Sequence, residues 1–490
     1  MKLSSNSEKD GRFHTNWLNM MYPRLKLARN LLTNDGVIFI SIDDNELNNL
    51  MKISDEIFGK SNLVTIITIK TGGPGGFKSK ANKPVKVKEF VLIYAKNIEY
   101  YNYISTFVEK SGKWDTHFNS FYDHESNQVF PLIEILKKKK IVNENTKLSD
   151  LSLNQKEFQD FYRKYKSNIF DTKFYKDSEE KNKSLQSKDE VIIHKRTDGR
   201  KLYLLNGRLL NFLETSFKPI NTTGTKAITT PLSDIWEDLP YNNIQNESNI
   251  PTFKSGQKPL NLIKRMLSMT DTNNQIILDF FSGSSTTAHA ILELNALDNY
   301  KRKFIMVQIP EPIESKEELY KEGFFNIAEI GKERIRRAGD KIIEKSNNND
   351  LDTGFKVFKL YSSNLKKWDP DYKDPEQALL TSGDNIKEDR TELDLIYEIM
   401  LKYGIDLTLP IKEFELNNKK IYSIGFGSLL ICLDNNITKE IATEIIKLKK
   451  ELSPETTRIV FKDNGFASDS DKTNIKETLK TNNIDEFITI

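Results

Sequence analysis

The chain has 490 residues, with 73 Lys and Arg against 70 Asp and Glu, a net charge of +3. That length exceeds one ordinary core and points to roughly two to four domains, while the near balance of charge means that any nucleic-acid surface must be sought locally. A single cysteine, Cys432, excludes a disulfide framework or cysteine-based zinc cluster, five scattered histidines argue against a metal site, and no apolar run approaches the about 20 residues that span a bilayer.

The N-terminus lacks the apolar core of a signal peptide, so the cytoplasm is the expected compartment. Trp17, Leu18, Met21, Leu25, Ala28, Leu31 and Leu32 recur at helical spacing and predict a helix from Trp17 to Leu32, kinked or started late by Pro23. Val37 to Ile42 reads as a strand ending at Asp43 and Asp44, and Asn45 to Phe58 as an amphipathic helix. Leu63 to Ile69 and Phe90 to Tyr94 read as two more strands, with the glycine-rich stretch Gly72 to Gly76 between them as a loop. Helices alternating with apolar strands make an α/β unit. Its opening helix follows no strand, as in the second half of a sheet whose first half lies elsewhere.

Residues 101–220 differ in composition. They hold 22 Lys or Arg against 17 Asp or Glu, a local net of +5, and 18 aromatics. Basic clusters fall at Lys137 to Lys140 and at Lys195, Arg196, Arg200 and Lys201. Basic residues interleaved with aromatics suit a surface that follows a phosphate backbone and touches bases, although Lys137 to Lys140 also reads as a solvated helix end. Asp177 to Glu190 is expected to be a polar loop, and Thr222 to Asn249 a linker on the surface.

The most informative stretch is Ile277-Leu-Asp-Phe-Phe-Ser-Gly-Ser-Ser-Thr-Thr-Ala-His-Ala290. A short apolar strand, a turn of small residues and a helix start bring backbone N–H groups and a positive dipole end to one point. That is the nucleotide-binding corner of an open α/β sheet. Asp279 adds a carboxylate for an ammonium or hydroxyl. After it, Arg302 to Ile309 is a strand ending near Gln308, so residues 276–309 form one crossover unit of a parallel sheet. The helix from Asn326 to Lys341 carries Lys332, Arg334, Arg336 and Arg337 on what reads as a solvated basic face. Beyond Asn347 a separate α+β domain is expected for partner or DNA contact, with strands around Lys356 to Leu360 and Lys420 to Leu433, and helices around Leu393 to Tyr403 and Lys439 to Leu452.

The order of these pieces resembles a family. His14-Thr-Asn-Trp-Leu-Asn-Met-Met-Tyr-Pro-Arg-Leu-Lys-Leu-Ala-Arg29 and Asp35-Gly-Val-Ile-Phe-Ile-Ser-Ile-Asp-Asp44 are similar to the segment after the catalytic motif of amino-group DNA methyltransferases, above all the modification subunits of Type III restriction–modification systems. Lys88 to Lys96, Phe253-Lys-Ser-Gly-Gln-Lys-Pro259, Asp279 to Ala290, Gln308-Ile-Pro-Glu311, Ile327 to Ala338 and Gly354 to Leu360 resemble that family's later motifs in order. The resemblance covers roughly residues 12–96 and 230–368.

It implies a Rossmann-like α/β sheet with an inserted recognition region and a small α+β C-terminal domain. The implied division is 1–100 for the rest of the catalytic half, 101–240 for target recognition, 241–345 for the S-adenosylmethionine half, and 346–490 for the C-terminal domain. It implies methyl transfer from S-adenosylmethionine to the adenine amino group. Asp279, Phe280, Phe281, Ser282, Gly283 and Ser284 would hold the cofactor, with Thr286 capping the helix, Gln308 where an acid often meets the ribose, and Lys258 and Pro259 forming the other wall. Lys195, Arg196, Arg200 and Lys201 are candidates for DNA contact. Two departures stand out. The family's Asp-Pro-Pro-Tyr acceptor motif is absent, so no catalytic residue is assigned and the chain reads as starting just past the catalytic strand. The turn also reads Phe281-Ser-Gly-Ser-Ser285 rather than Phe-x-Gly-x-Gly, and a serine forced to positive φ costs about 1 kcal/mol. The expected partners are double-stranded DNA, the restriction (helicase–nuclease) subunit, a second copy as a homodimer, and a separate chain with the missing motif. The alternatives are a DNA-recognition or subunit-docking module without catalysis and, more remotely, a nicotinamide-dependent oxidoreductase, against which the lack of a full Gly-x-Gly-x-x-Gly turn argues.

Overall fold

The computed structural model describes residues 12–73, 84–176, 178–196, 199–241, 244–247, 257–270, 273–346, 350–366, 386–387, 389–484 and 486–490. The Gly72 to Gly76 loop therefore lies mostly outside the described residues. The chain forms two compact units, Met1–Gly354 and Phe355–Ile490.

Helix α1 (Phe13–Leu31) runs through Pro23 without ending, and buries Met21, Leu25 and Ala28 at i, i+4 and i+7. Pro23 is exposed, so its missing N–H falls on the solvent side. Strand β1 (Val37–Ile42), helix α2 (Leu47–Phe58), strand β2 (Leu63–Lys70) and strand β3 (Lys88–Ala95) come next, within two or three residues of the bounds read from periodicity. The sheet order is β1-β3-β2-β13, where β13 is Ile235–Trp236. β3 lies between β1 and β2, antiparallel to both, and is buried on both faces. On one face Phe90, Leu92 and Tyr94 meet Leu25, Leu50 and Phe58 of α1 and α2. On the other, Val91 and Ile93 meet Ile67, Ile69 and Trp236, together with Leu262 and Ile263 of α6 (Leu260–Leu267) and Ile291 of α7 (Thr286–Asp298).

Trp236 corrects the reading of Thr222 to Asn249 as a surface linker. Its side chain is 1% exposed, stacked under Arg265, and its strand pairs parallel with β2. Leu239 is buried in the same core, so scattered apolar residues among Thr, Asn and Asp hid core positions.

Residues 101–231 hold two further sheets. Strands β5 (Ser120–Asp123), β6 (Gln128–Pro131), β7 (Ile169–Lys173), β8 (Ile192–Lys195), β9 (Lys201–Leu205) and β10 (Arg208–Phe212) form a sheet ordered β6-β5-β7-β10-β9-β8. Strands β4 (Phe107–Glu109), β11 (Phe217–Pro219) and β12 (Lys226–Pro231) form the second, ordered β11-β12-β4. The aromatics counted in this region are largely core: Trp114, Phe118, Phe121, Phe158, Phe161 and Tyr162 cluster with α3 (Leu132–Lys138) and α4 (Lys156–Lys164). Lys137 and Lys138 lie in the last turn of α3, where cations favour the dipole. The polar stretch ending at Glu190 is not all loop: Glu179–Gln186 is helix α5, because Ser178 accepts the Lys181 N–H and Glu179 and Glu180 occupy the first turn.

The crossover predicted over 276–309 is strand β14 (Ile276–Asp279), α7, and strand β15 (Lys303–Met306), with β14 and β15 parallel and Asp279 beside Met306. Ile277 and Phe304 pack on the same core that carries Val37 and Phe39 of β1. Among the described residues, β1 and β14 each have a hydrogen-bonded neighbour on one side only. Helices α8 (Glu318–Lys321) and α9 (Ile327–Ser346) complete this unit, α9 packing on α7.

The second unit holds a sheet of β16 (Ile411–Leu416), β17 (Lys419–Ile424), β18 (Leu429–Cys432), β19 (Arg458–Phe461) and β20 (Glu486–Thr489) in that order. The first three strands are antiparallel neighbours and the last three parallel. Helix α10 (Glu392–Lys402) covers one face, and α11 (Glu440–Leu452) and α12 (Asp469–Thr481) the other. Two expectations are corrected here. Lys420 to Leu433 is a pair of strands around the turn Gly425-Phe426-Gly427, all three at positive φ. Lys356 to Leu360 forms no strand; Lys356 is tied instead to the carbonyls of Leu407 and Leu409.

Candidate methyl-donor site

Eight of the ten residues read as cofactor-binding, Asp279 to Ser284 with Thr286 and Gln308, meet at one turn. Asp279 ends β14, and its carboxylate shapes the turn that begins there. Oδ1 accepts the Phe281 N–H at 3.2 Å, and Oδ2 accepts the Thr287 hydroxyl at 2.6 Å. Phe280 is half-buried, and Phe281, 51% exposed, lies against it with ring centroids 5.2 Å apart. The backbone then reverses through two left-handed residues, Gly283 at φ +51° and Ser285 at φ +58°. Nothing lies within 4 Å of where a Cβ on Gly283 would stand, so a ligand can approach the backbone there. Ser282 is 7% exposed, and its hydroxyl has no hydrogen-bond partner among the described residues.

The positive φ at 285 is the strained serine anticipated from the motif. Its side chain points at α9: a Cβ added to Gly331 would stand 2.5 Å from Ser285 Oγ. The expected cap is corrected as well. Ser285, not Thr286, is the N-cap of α7, and its side chain makes no cap because the left-handed backbone turns it toward Gly331. Thr286 is the first helical residue, buried, with its hydroxyl 3.4 Å from Ser284 Oγ. Gln308 sits two residues beyond β15. Its amide oxygen accepts the Gly283 N–H at 2.7 Å and its Nε2 donates to the Ile309 carbonyl, so it fastens the turn to the neighbouring strand.

Lys258 and Pro259 stand elsewhere. Pro259 is buried and opens α6, while Lys258 is paired with Glu89 of β3. Residues 253–256 of their motif lie outside the described residues. Lys258 and Glu89 line a cavity of about 360 Å³ at the carboxyl end of β1, with Phe13 and Trp17 of α1, Asp43 and Glu46 on its other sides. Glu46 is 4% exposed and held by His14 Nδ1 and Asn49 Nδ2, both at 2.8 Å. Trp17 and Glu46 were missed as site residues; the signal was the acidic run Asp43-Asp44-Asn45-Glu46 following a strand.

Beneath the turn lies a charged network. Arg334 of α9, read from sequence as part of a solvated face, is 1% exposed. Its Nε donates to His289 Nδ1 at 3.3 Å, Nη1 to Ser284 Oγ at 3.3 Å, and Nη2 to Glu247 Oε2 at 3.1 Å. Because His289 Nδ1 accepts, the ring proton lies on Nε2, 3.3 Å from Glu293 Oε1. Lys264 Nζ donates to the other Glu293 oxygen at 2.8 Å. Burial would raise the Glu293 carboxyl, but His289 and Lys264 bring it down to about 2. On the outer side of α9, Glu329 pairs with Lys332, and Glu333 with Arg336 and Arg337.

The four basic residues proposed for DNA lie together and exposed at the tip of the β8–β9 hairpin. Lys195 faces Lys201 across the ladder, and the Arg196 N–H donates to the Arg200 carbonyl at 2.8 Å.

A family model described as DNA methylase matches residues 1–318. The chain belongs to the DNA methylases. Over 96% of its length this methylase is 24% identical to the Mod subunit of the Type III restriction-modification enzyme EcoP15I of Escherichia coli, covering 72% of that protein. It is 27% identical to the EcoPI Mod subunit of Escherichia phage P1 with the same two coverages. To the StyLTI Mod subunit of Salmonella typhimurium it is 28% identical over 71% of this chain and 49% of that one. No helix among the methylase's described residues is long and apolar enough to cross a membrane, and no described cluster of His, Cys, Asp and Glu is arranged to hold a metal ion.

Proposed function

We propose that this chain is the modification subunit of a Type III restriction–modification system, an adenine-specific DNA methyltransferase that uses S-adenosylmethionine. The observation that carries this reading is the β14–turn–α7 corner within a chain of the DNA methylase family, aligned over 96% of its length with Mod subunits. The residues fit the cofactor. A carboxylate ends the strand, the turn carries no side chain at Gly283, the Ser282 hydroxyl is buried without a partner among the described residues, and the 13-residue helix α7 presents an N-terminus with no side-chain cap.

When bound, S-adenosylmethionine supplies an electrophilic methyl group on a sulfonium. Asp279 offers its carboxylate to the ligand's ammonium or a hydroxyl while fixing the turn, and Phe281 covers apolar surface. Gln308 orients the Gly283 peptide, while Lys258, paired with Glu89, lines the cavity at the end of β1 rather than the turn. The base must leave the duplex for its amino group to be reached, and the cavity at the end of β1, walled by Phe13 and Trp17 with acceptors on Asp43 and Glu46, offers stacking and hydrogen bonding for it. No residue of this chain is assigned as the acceptor set for the amino nitrogen in this reading, and a separate chain carrying the Asp-Pro-Pro-Tyr motif is the partner proposed to supply it. DNA, a restriction subunit and a second copy are the partners.

Calorimetric titration of the purified chain with S-adenosylmethionine should give saturable binding at one site per chain. No binding would leave only the recognition-module reading, which the family match already disfavours. The hairpin has its own test. Lys195→Glu with Lys201→Glu should weaken duplex binding at least roughly 10-fold and lower the salt slope by about 2, because each phosphate contact releases about one counterion. An unchanged slope would remove the hairpin from the interface.

A further inference from the structure

We infer that Arg334 is a positioning residue of the methyl-donor site, holding Ser284 and His289 so that the turn and the first residues of α7 keep the shape a donor must meet. The inference rests on the reading of that turn as the donor's seat.

Three observations carry it. The guanidinium is almost fully buried, and its three hydrogen-bonding nitrogens go to three different elements. Ser284 belongs to the turn itself. His289 lies on α7 one turn further along, and passes the connection through Glu293 to Lys264 on α6. Glu247 accepts the Leu260 N–H at 2.9 Å with its other oxygen, and so fixes the start of α6, next to Lys258 and Pro259. One side chain on α9 therefore ties together the turn and the start of α6, beside the cavity that Lys258 lines. Gly331, one helical turn earlier, lets α9 approach close enough for this reach.

Stability alone does not account for the arrangement. A buried ion pair replaced by apolar or neutral groups of similar size is often neutral or stabilising, whereas a fork with fixed geometry specifies where its partners stand. The two roles separate in Arg334→Met combined with Glu247→Gln, which removes both charges together.

The experiment measures S-adenosylmethionine affinity by calorimetry and thermal unfolding on the full chain. For the double variant the expected result is a dissociation constant raised roughly 10- to 50-fold with an unfolding midpoint close to that of the parent. Arg334→Lys keeps the charge for Glu247 but loses the fork, and should bind the donor with intermediate affinity. Ser284→Ala deletes the turn's end of the contact along with whatever else the hydroxyl touches, and should weaken binding about 5-fold in the parent and by clearly less in the Arg334→Lys background, since the two changes share one interaction. Affinity within twofold of the parent in the double variant, or Ser284→Ala effects that simply add, would overturn the inference. Saturable binding by the unaltered chain separates that failure from a failure of the donor-site reading, which would show as no binding by any of these proteins.

Discussion

Asp279→Ala is expected to weaken S-adenosylmethionine binding by roughly 100-fold or more, about 3 kcal/mol. The carboxylate has two tasks at once. It accepts the Phe281 N–H and the Thr287 hydroxyl, which sets the entry and exit of the turn, and it ends the strand where a ligand's ammonium or hydroxyl would come. Alanine removes both tasks and leaves the Phe281 amide and the Thr287 hydroxyl to find other partners. Asp279→Asn separates them. An amide oxygen can still accept from Phe281 and its NH₂ can meet the Thr287 hydroxyl, so the turn survives while the charge is lost. Its expected loss is about 10-fold, the size of one charge-assisted hydrogen bond exchanged for a neutral one. Calorimetry on the three proteins checks the order. If alanine binds the donor within threefold of the parent, Asp279 is a structural residue of the crossover only.

The parts of the fold legible in the sequence are those where one physical signal dominates. β1, β2 and β3 are apolar runs bounded by polar residues, α2 is an amphipathic repeat, and the β14–α7–β15 crossover announces itself by a strand, a small-residue turn and a helix start. Their bounds came within a few residues. Where signals compete, the reading fails in a consistent way. Trp236 lies among scattered apolar residues in a stretch rich in Thr, Asn and Asp, and the parallel pairing of its strand with β2 shows that it belongs to the core. Arg334 shares a helix with Lys332, Arg336 and Arg337, and charge alone cannot tell a solvated arginine from one 1% exposed. The distinction lies in partners 45, 50 and 87 positions away. Thr286 had the residue type of a cap, but the left-handed backbone at Ser285 moved the cap position one residue earlier. For the site, the donor corner was visible because its chemistry is local. The cavity at the end of β1 was not, since it is assembled from α1, β1, β3 and the segment before α6.

Gly331 of α9 should be intolerant of even one added methyl, and the intolerance should depend on Ser285. An alanine Cβ there would stand 2.5 Å from Ser285 Oγ and 3.4 Å from both Ser285 Cβ and the Gly283 carbonyl. The first distance is untenable; the other two are ordinary contact. Ser285 is 4% exposed, so turning its oxygen away from α9 must be accommodated inside a packed interior. Gly331→Ala alone is therefore expected to raise the donor's dissociation constant about 30-fold and to lower stability by about 2 kcal/mol, the range found when a packed interior is overfilled. Adding Ser285→Ala removes the clashing atom and leaves only the tolerable contacts, so the double variant should regain most of both losses. The coupling between the two positions, measured as a double-mutant cycle in donor affinity and in denaturant unfolding, is expected to be at least about 1 kcal/mol in each. Independent, additive effects would mean that α9 does not press on the turn. The same geometry accounts for the departure at position 285: the left-handed serine is accommodated because glycine faces it from α9, so the cost of losing a glycine in the turn is offset by the space that a glycine leaves on the helix.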